Sequence, residues 1–338
     1  MTMNESERLR RRLREAGLSN TAIATAWPRW WSRDAETSSS ARAELAFSLA
    51  RKLGLDPRSL LPGSDVPRFR WQTEGRFKHR TNQTDLELAA ISSFGKSLAS
   101  LLLSATPSAA IDISDRGGGD LRSAILAPGR PYVSLADLLA LAWSLGVPVV
   151  QLRVYPLKQK RMAAMTVTVG ERAAVLLGRT SRYPAPIAFY LAHEIGHIAL
   201  NHAAGGRLLV DLEAPQRSAN EDEEERAADD FALELLTGRR RPEVRGIAPT
   251  RTSARELARA VQDSGPALGI EPGVLAECYG HTTGDWVAAA GSLKFIYSNA
   301  QPVWRQVNAI ARQQLDFESV PSDSSEYLEA ILGLPDHG

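Results

Sequence analysis

Ile187-Ala188-Phe189-Tyr190-Leu191-Ala192-His193-Glu194-Ile195-Gly196-His197-Ile198-Ala199-Leu200 is the segment by which the other parts of the chain are placed. Apolar positions cover most of its helical surface: Ile187, Ala188, Tyr190, Leu191, Ile195, Ile198, Ala199 and Leu200. Such a pattern predicts a central, buried helix beginning near Pro186. Residues four apart on a helix lie about 40° apart around its axis, one turn up. His193 and His197 therefore project together and can bind one metal ion, with Glu194 beside them to take a proton from water. Unpaired polar groups are costly to bury, and a metal supplies the partner that this trio needs.

A catalytic zinc takes three protein ligands and keeps one position open. The metzincin pattern requires Gly and His where this chain has Leu200 and Ala203, so the third ligand lies elsewhere. His202, five residues past His197, is expected to point away from the pair. A second helix, acidic at its start, is predicted over 220–236, with Asn220 and Glu223 as a capping box. Asp222 and Glu223 suit a helix N-terminus, which favours negative charge. Ala228, Phe231, Ala232, Leu235 and Leu236 mark its inward face; Glu221, Glu224 and Glu225 fall on or beside that face, and periodicity leaves all three open. Chemistry favours Glu225. Asp229, one turn on, can accept a hydrogen bond from the non-ligating nitrogen of a metal-bound histidine. Glu224 has only Ala228 at that position.

The motif helix follows a small predicted sheet. Residues 147–154 are strand-like, and 165–169 and 173–177 form a hairpin around Gly170-Glu171-Arg172. Upstream, helices are expected at 84–104, with Leu86, Ala90, Phe94, Leu98 and Leu101 on one face, and at 134–145, capped by Ser134. Residues 105–133 read as loop. Gly117-Gly118-Gly119 lacks the Lys-Ser/Thr ending of a phosphate-binding loop and opens no evident helix.

The chain has 338 residues, enough for two or three domains. One cysteine, Cys278, excludes a disulfide framework and a zinc site of several thiolates; it reads as a small packed residue. The N-terminus has no basic start and no apolar run of a leader. The most apolar stretch, Leu135 to Leu152, is broken by Asp137 and Pro148, so no membrane span and a cytoplasmic location are expected. The net charge of +1 hides an asymmetry. Residues 1–80 carry 16 Lys+Arg and 9 Asp+Glu, a net of +7, leaving 24 basic and 30 acidic residues, a net of −6, in the remainder. A basic N-terminal segment on an acidic body suits DNA contact through residues 1–80.

Residues 1–61 read as all-helical, with Leu9 and Leu13 inward on a first helix, Ser19 capping a second, and Leu45, Leu49 and Leu53 on a third ended by Gly54. Leu13-Arg14-Glu15-Ala16-Gly17-Leu18-Ser19 and Leu49-Ala50-Arg51-Lys52-Leu53-Gly54-Leu55-Asp56-Pro57 resemble the start and the end of an Xre/Cro-type helix-turn-helix module. Where that family places its recognition helix, this chain has Trp27-Pro28-Arg29-Trp30-Trp31, so the module reads as degenerate. Residues 62–83 read as a linker and 239–338 as a helical C-terminal region, with helices near 253–263, 285–298 and 303–315 and a second turn-helix element at 269–276. The tail from Ser319 is expected to be mobile except over 327–332.

His193-Glu194-Ile195-Gly196-His197, followed by Glu225-x-x-Ala228-Asp229-x-Phe231-Ala232-x-x-Leu235-Leu236, resembles the ImmA/IrrE family of metallo-endopeptidases over about 84–238. Thr237-Gly238 stands where Met-Pro often follows in that family, which implies a changed helix exit. The resemblance implies an α+β fold with a compact, gluzincin-like peptidase domain and Zn2+ held by His193, His197 and Glu225. It implies Glu194 as general base and Asp229 behind a ligand. The implied activity is cleavage of a specific protein, a helix-turn-helix repressor, in a stress or mobile-element response. Tyr183, Tyr190 and His281 are candidates for a further oxyanion donor. The competing readings are a DNA-binding regulator whose metal domain is sensory or structural, and a scaffold that sequesters a partner.

Overall fold

The structure is a computed structural model. It describes residues 4–64, 66–71, 75–78, 84–107, 109–158, 162–202, 208–212, 223–242, 244, 246–248 and 252–333. In chain order the elements are α1 (Glu5–Glu15), α2 (Asn20–Ala26), α3 (Ser39–Leu53), β1 (Gly75–Lys78), α4 (Asp85–Ser104), α5 (Gly118–Leu126), α6 (Leu135–Ser144), β2 (Val149–Gln151), β3 (Met162–Val169), β4 (Arg172–Leu177), α7 (Pro184–Ala199), β5 (Leu208–Leu212) and α8 (Glu223–Thr237). Then come α9 (Ala254–Leu268), α10 (Pro272–Thr283), α11 (Trp286–Ile296), α12 (Trp304–Gln314) and α13 (Ser322–Leu332).

The α+β class holds. The strands make one five-stranded sheet, in the order β1-β5-β3-β4-β2. The predicted hairpin is its antiparallel centre, with Thr166 opposite Val175. β5 is antiparallel to β3, and the parallel pairs β1–β5 and β2–β4 form the flanks. Successive side chains on a strand point to opposite faces, and this alternation sorts two cores. Met165, Val167, Ala174 and Leu176 face α4 and a core shared with Leu13, Leu49, Leu53 and α13's Leu328 and Ile331. Ala164, Val175 and Leu177 face a second core with Leu191 and Ile195 of α7 and Leu235 of α8. The sheet is thus covered on both faces, and the motif helix lies on the second. At the β2 edge Asn308 acts as a surrogate strand: it accepts from the Gln151 N–H (2.8 Å) and donates to the Gln151 carbonyl (2.8 Å), satisfying backbone groups that an edge leaves open.

Four expectations need correction. The run at Gly117 does open a helix, α5, with Gly117 at its N-cap. Glycine is needed at 118 because α5 crosses α8 so closely that a Cβ there would stand 2.6 Å from the Phe231 carbonyl oxygen. The linker contributes β1 to the sheet. Leu86 is 45% exposed and does not join the buried face of α4. The tail is ordered from Ser322 as α13, because Tyr327, Leu328, Ile331 and Leu332 pack into the first core.

Asp323 of α13 also engages α3: it accepts from the Ser48 hydroxyl (2.7 Å), pairs with Arg51 (2.8 Å) and lies 3.5 Å from the Lys52 ammonium. Two of the cations counted in the basic N-terminal segment are therefore held internally. Arg10 lies over the Trp27 ring at 3.7 Å, and Arg12 donates to the Ser59 carbonyl. Between α2 and α3 the described helical structure is one short 3-10 turn, Ala35–Thr37, so the tryptophan segment forms no recognition helix. Helix α4 is long and apolar enough to cross a membrane, yet 83% of that stretch is buried within the fold, as befits a core helix.

Candidate metal centre

Helix α7 starts with Pro184 at its first turn and runs through the motif to Ala199. Its burial leaves His193, Glu194 and His197 6%, 1% and 0% exposed. Helix α8 crosses it at Gly196. A Cβ at that position would lie 3.1 Å from the Phe231 ring and 3.2 Å from the Ala228 carbonyl oxygen, so glycine permits the approach that delivers Glu225. The far end of α8 is fixed by Arg122 of α5, whose guanidinium donates to the carbonyls of Leu235 (3.3 Å) and Leu236 (2.8 Å) and to that of Gly269. A cation there also suits the negative end of a helix. Gly238, at φ +78°, lets the chain leave α8 where the sequence implied a changed exit.

The two histidine Nε2 atoms stand 3.0 Å apart. Glu225 offers one carboxylate oxygen at 3.5 Å from the Nε2 of His193 and the other at 3.4 Å from that of His197. Two atoms bound to one zinc at tetrahedral angles, each about 2.0–2.1 Å from it, are about 3.3–3.4 Å apart. The spacings are close to that value, one donor atom of each residue lies within 4.8 Å of the others, and the donor set of two imidazoles and a carboxylate suits zinc. Of the three glutamates that periodicity left open, Glu225 joins this cluster and Glu224 does not; Glu221 and the Asn220 cap lie outside the described residues.

The nitrogens that face away from the cluster are held too. His193 Nδ1 is 2.9 Å from Asp229 Oδ1, the arrangement expected from the one-turn spacing of Glu225 and Asp229. A proton on Nδ1 donated to that carboxylate leaves the Nε2 lone pair for a metal. Burial opposes charge on His193, but hydrogen bonds to Asp229 and Glu225, with the charge of Glu194, outweigh it and raise the imidazole to about 10. The pocket thus favours positive charge at the point where a cation would sit. Asp229→Ala is expected to weaken zinc binding about 10–100-fold, read by competition with a chelator. Unchanged affinity would deny Asp229 that role.

His202 corrects the reading that it points away: its Nδ1 lies 2.8 Å from that of His197. The helical period does not reach it. Asn201 takes the left-handed conformation (φ 56°), its N–H bonds to the Ile198 carbonyl (3.1 Å), and the His202 N–H bonds back to His197 (3.0 Å). That is a Schellman ending, which folds the second residue beyond the helix onto its last turn. The signal was in the sequence, since asparagine tolerates this conformation.

Thr166 of β3 was not singled out by the sequence pattern. Its hydroxyl donates to Glu194 Oε2 at 2.5 Å, and its residue is fully buried. The three candidate oxyanion donors each have other partners. Tyr183 stacks on Tyr297, Tyr190 accepts a hydrogen bond from Arg179 (2.5 Å), and His281 packs against Trp286 and against Phe189, whose ring also meets His193. Cys278 is buried as expected, and burial with the charge of Glu277 pushes its thiol up to about 12, far from a reactive thiolate.

A model of the Peptidase U49 family, a peptidase family related to ImmA/IrrE, matches residues 180–261. That segment contains α7, α8 and the start of α9. It is narrower than the expected 84–238 and leaves out the N-terminal helical segment. No curated protein and no solved structure matches the chain.

Proposed function

We propose that this protein is a zinc-dependent endopeptidase of gluzincin-like design that cleaves a specific protein, a helix-turn-helix repressor, in a stress or mobile-element response. The observation that carries the reading is the cluster of His193, His197 and Glu225, which offer one donor atom each within 4.8 Å of one another, close enough to share one zinc ion. The peptidase-family match over the same helices supports it. The repressor substrate rests on the resemblance to ImmA/IrrE endopeptidases and on the degenerate helix-turn-helix-like start.

His193, His197 and Glu225 would hold the metal, with Asp229 and His202 fixing the two imidazoles. Zinc, when bound, polarises the scissile carbonyl and makes the attacking water more acidic. Glu194 takes the proton of that water as its oxygen bonds to the carbonyl carbon, then gives it to the departing amine as the C–N bond breaks. Residues 1–61 serve to dock the protein partner. Trp30, 41% exposed among arginines, suits such a contact better than base reading.

Glu194→Gln keeps the shape of the side chain and removes the base. Against a candidate repressor, cleavage is expected to fall about 10²–10⁴-fold, with zinc content unchanged. Cleavage that persists in this variant rejects Glu194 as the base.

A further inference from the structure

We infer that Thr166 is a positioning residue for the general base: its hydroxyl pins one oxygen of Glu194 to the sheet, so that proton transfer is left to the other. The inference rests on the peptidase reading above, and its support is geometric. Thr166 stands at the centre of the sheet, on β3 between β4 and β5, opposite Val175 on one side and Leu209 on the other. On the same face Ala164, Val175 and Leu177 pack with Leu191 and Ile195 of α7 in the second core. A valine would fill that position at nearly the same volume and without a hydroxyl to satisfy. The hydroxyl instead meets the one carboxylate that α7 buries against the sheet, at 2.5 Å, with the two residues 0% and 1% exposed. A hydrogen bond to an ionised acceptor is short and about twice as strong as a neutral one.

The pin removes a rotational freedom that a base on a helix would otherwise have. With Oε2 tied to β3, the plane of the carboxylate is set by the sheet, and Oε1 is the atom that takes and returns the proton. The sheet then does more than support α7: it orients the reacting group relative to His193 and His197. Catalytic groups lose rate when such a support loosens by a fraction of an ångström.

The test needs no knowledge of the substrate. Acetohydroxamate is a small chelator that binds a metal in such a site and gives a hydrogen bond to the adjacent base. Its affinity for the cobalt(II)-loaded full-length protein is read from the visible absorption of the metal. Thr166→Val is expected to bind one cobalt as the wild type does but to hold acetohydroxamate about tenfold more weakly. Thr166→Ser, which restores the hydroxyl, is expected to recover most of the affinity. In a Glu194→Gln background Thr166→Val should add no further loss, because the residue acts through Glu194. Wild-type affinity in Thr166→Val, no rescue by serine, or an equal loss in the Glu194→Gln background would each overturn the inference while leaving the metal site standing. Failure of the wild-type chain to bind cobalt would overturn the peptidase reading, and this inference with it.

Discussion

Purified His193→Ala protein is expected to carry no zinc, where the wild-type chain carries about one ion. The residue offers one of three donors, and its Nε2 lies 3.0 Å from that of His197 and 3.5 Å from a Glu225 oxygen. Glu225→Ala is expected to lose the ion as well, and Glu224→Ala to keep it. Metal analysis after gel filtration, with circular dichroism to verify the fold, decides the matter. Zinc retained in Glu225→Ala would remove that carboxylate from the ligand set. A wild-type chain that takes up no zinc when it is supplied would end the peptidase reading altogether.

The second large effect lies where α13 meets α3. Asp323→Ala is expected to destabilise the fold by about 3 kcal/mol, the lower end of the range for breaking a buried ion pair. The lower end applies because the side chain of Arg51 is 39% exposed while that of Lys52 is only 2% exposed. Burial works against the Asp323 charge, but the Ser48 hydroxyl, Lys52 and Arg51 outweigh it and hold the carboxyl below its ordinary value. Its contribution is therefore present above the unfolded value of about 3.9 and is lost as pH falls through the lower folded one. Burial lowers the Lys52 ammonium, and Asp323 partly offsets this. Removing Asp323 lowers it further. The variant's folded state then binds that proton less readily than the unfolded chain, so its stability rises with pH toward about 10.4. Urea unfolding should show a gap between wild type and variant that is widest near neutrality and narrower at pH 10. A gap under about 1 kcal/mol at neutral pH, or one that does not narrow, would mean that Asp323 does not hold this contact.

What was legible in the sequence followed from local periodicity. The placing of the histidines and Glu194 together needs only the helical repeat, and the choice of Glu225 needs the one-turn spacing to Asp229, whose carboxylate lies 2.9 Å from His193 Nδ1. The hairpin at the centre of the sheet was read from two apolar runs around Gly170-Glu171-Arg172. The readings failed where an element is decided by something distant. Gly118 lies in a glycine run because α8 passes over it, and only the packed structure shows that neighbour. Thr166 is one of two threonines in an alternating strand, 28 residues before its partner Glu194, and nothing local distinguishes it from Thr168. The stretch before Tyr327 reads as mobile by itself, because what orders it is distant: α3, whose Arg51 and Lys52 receive Asp323. His202 failed for a different reason: the helical period was extended past a residue that ends it.

Helix α13 also gives the fold an order in time. Its Tyr327 hydroxyl donates to the Lys52 carbonyl (3.1 Å), and its leucines share a core with Leu13, Leu49 and Leu53. On a ribosome, 270 residues separate Leu53 from Asp323. At roughly 5–20 residues per second, the interval is on the order of tens of seconds. Through that interval the first three helices exist without the surface that completes them, exposing Trp-rich and Leu-rich faces to solvent or to chaperones. The emergence of α13 is then the event that closes the first core, and translation itself sets when the N-terminal helices are finished.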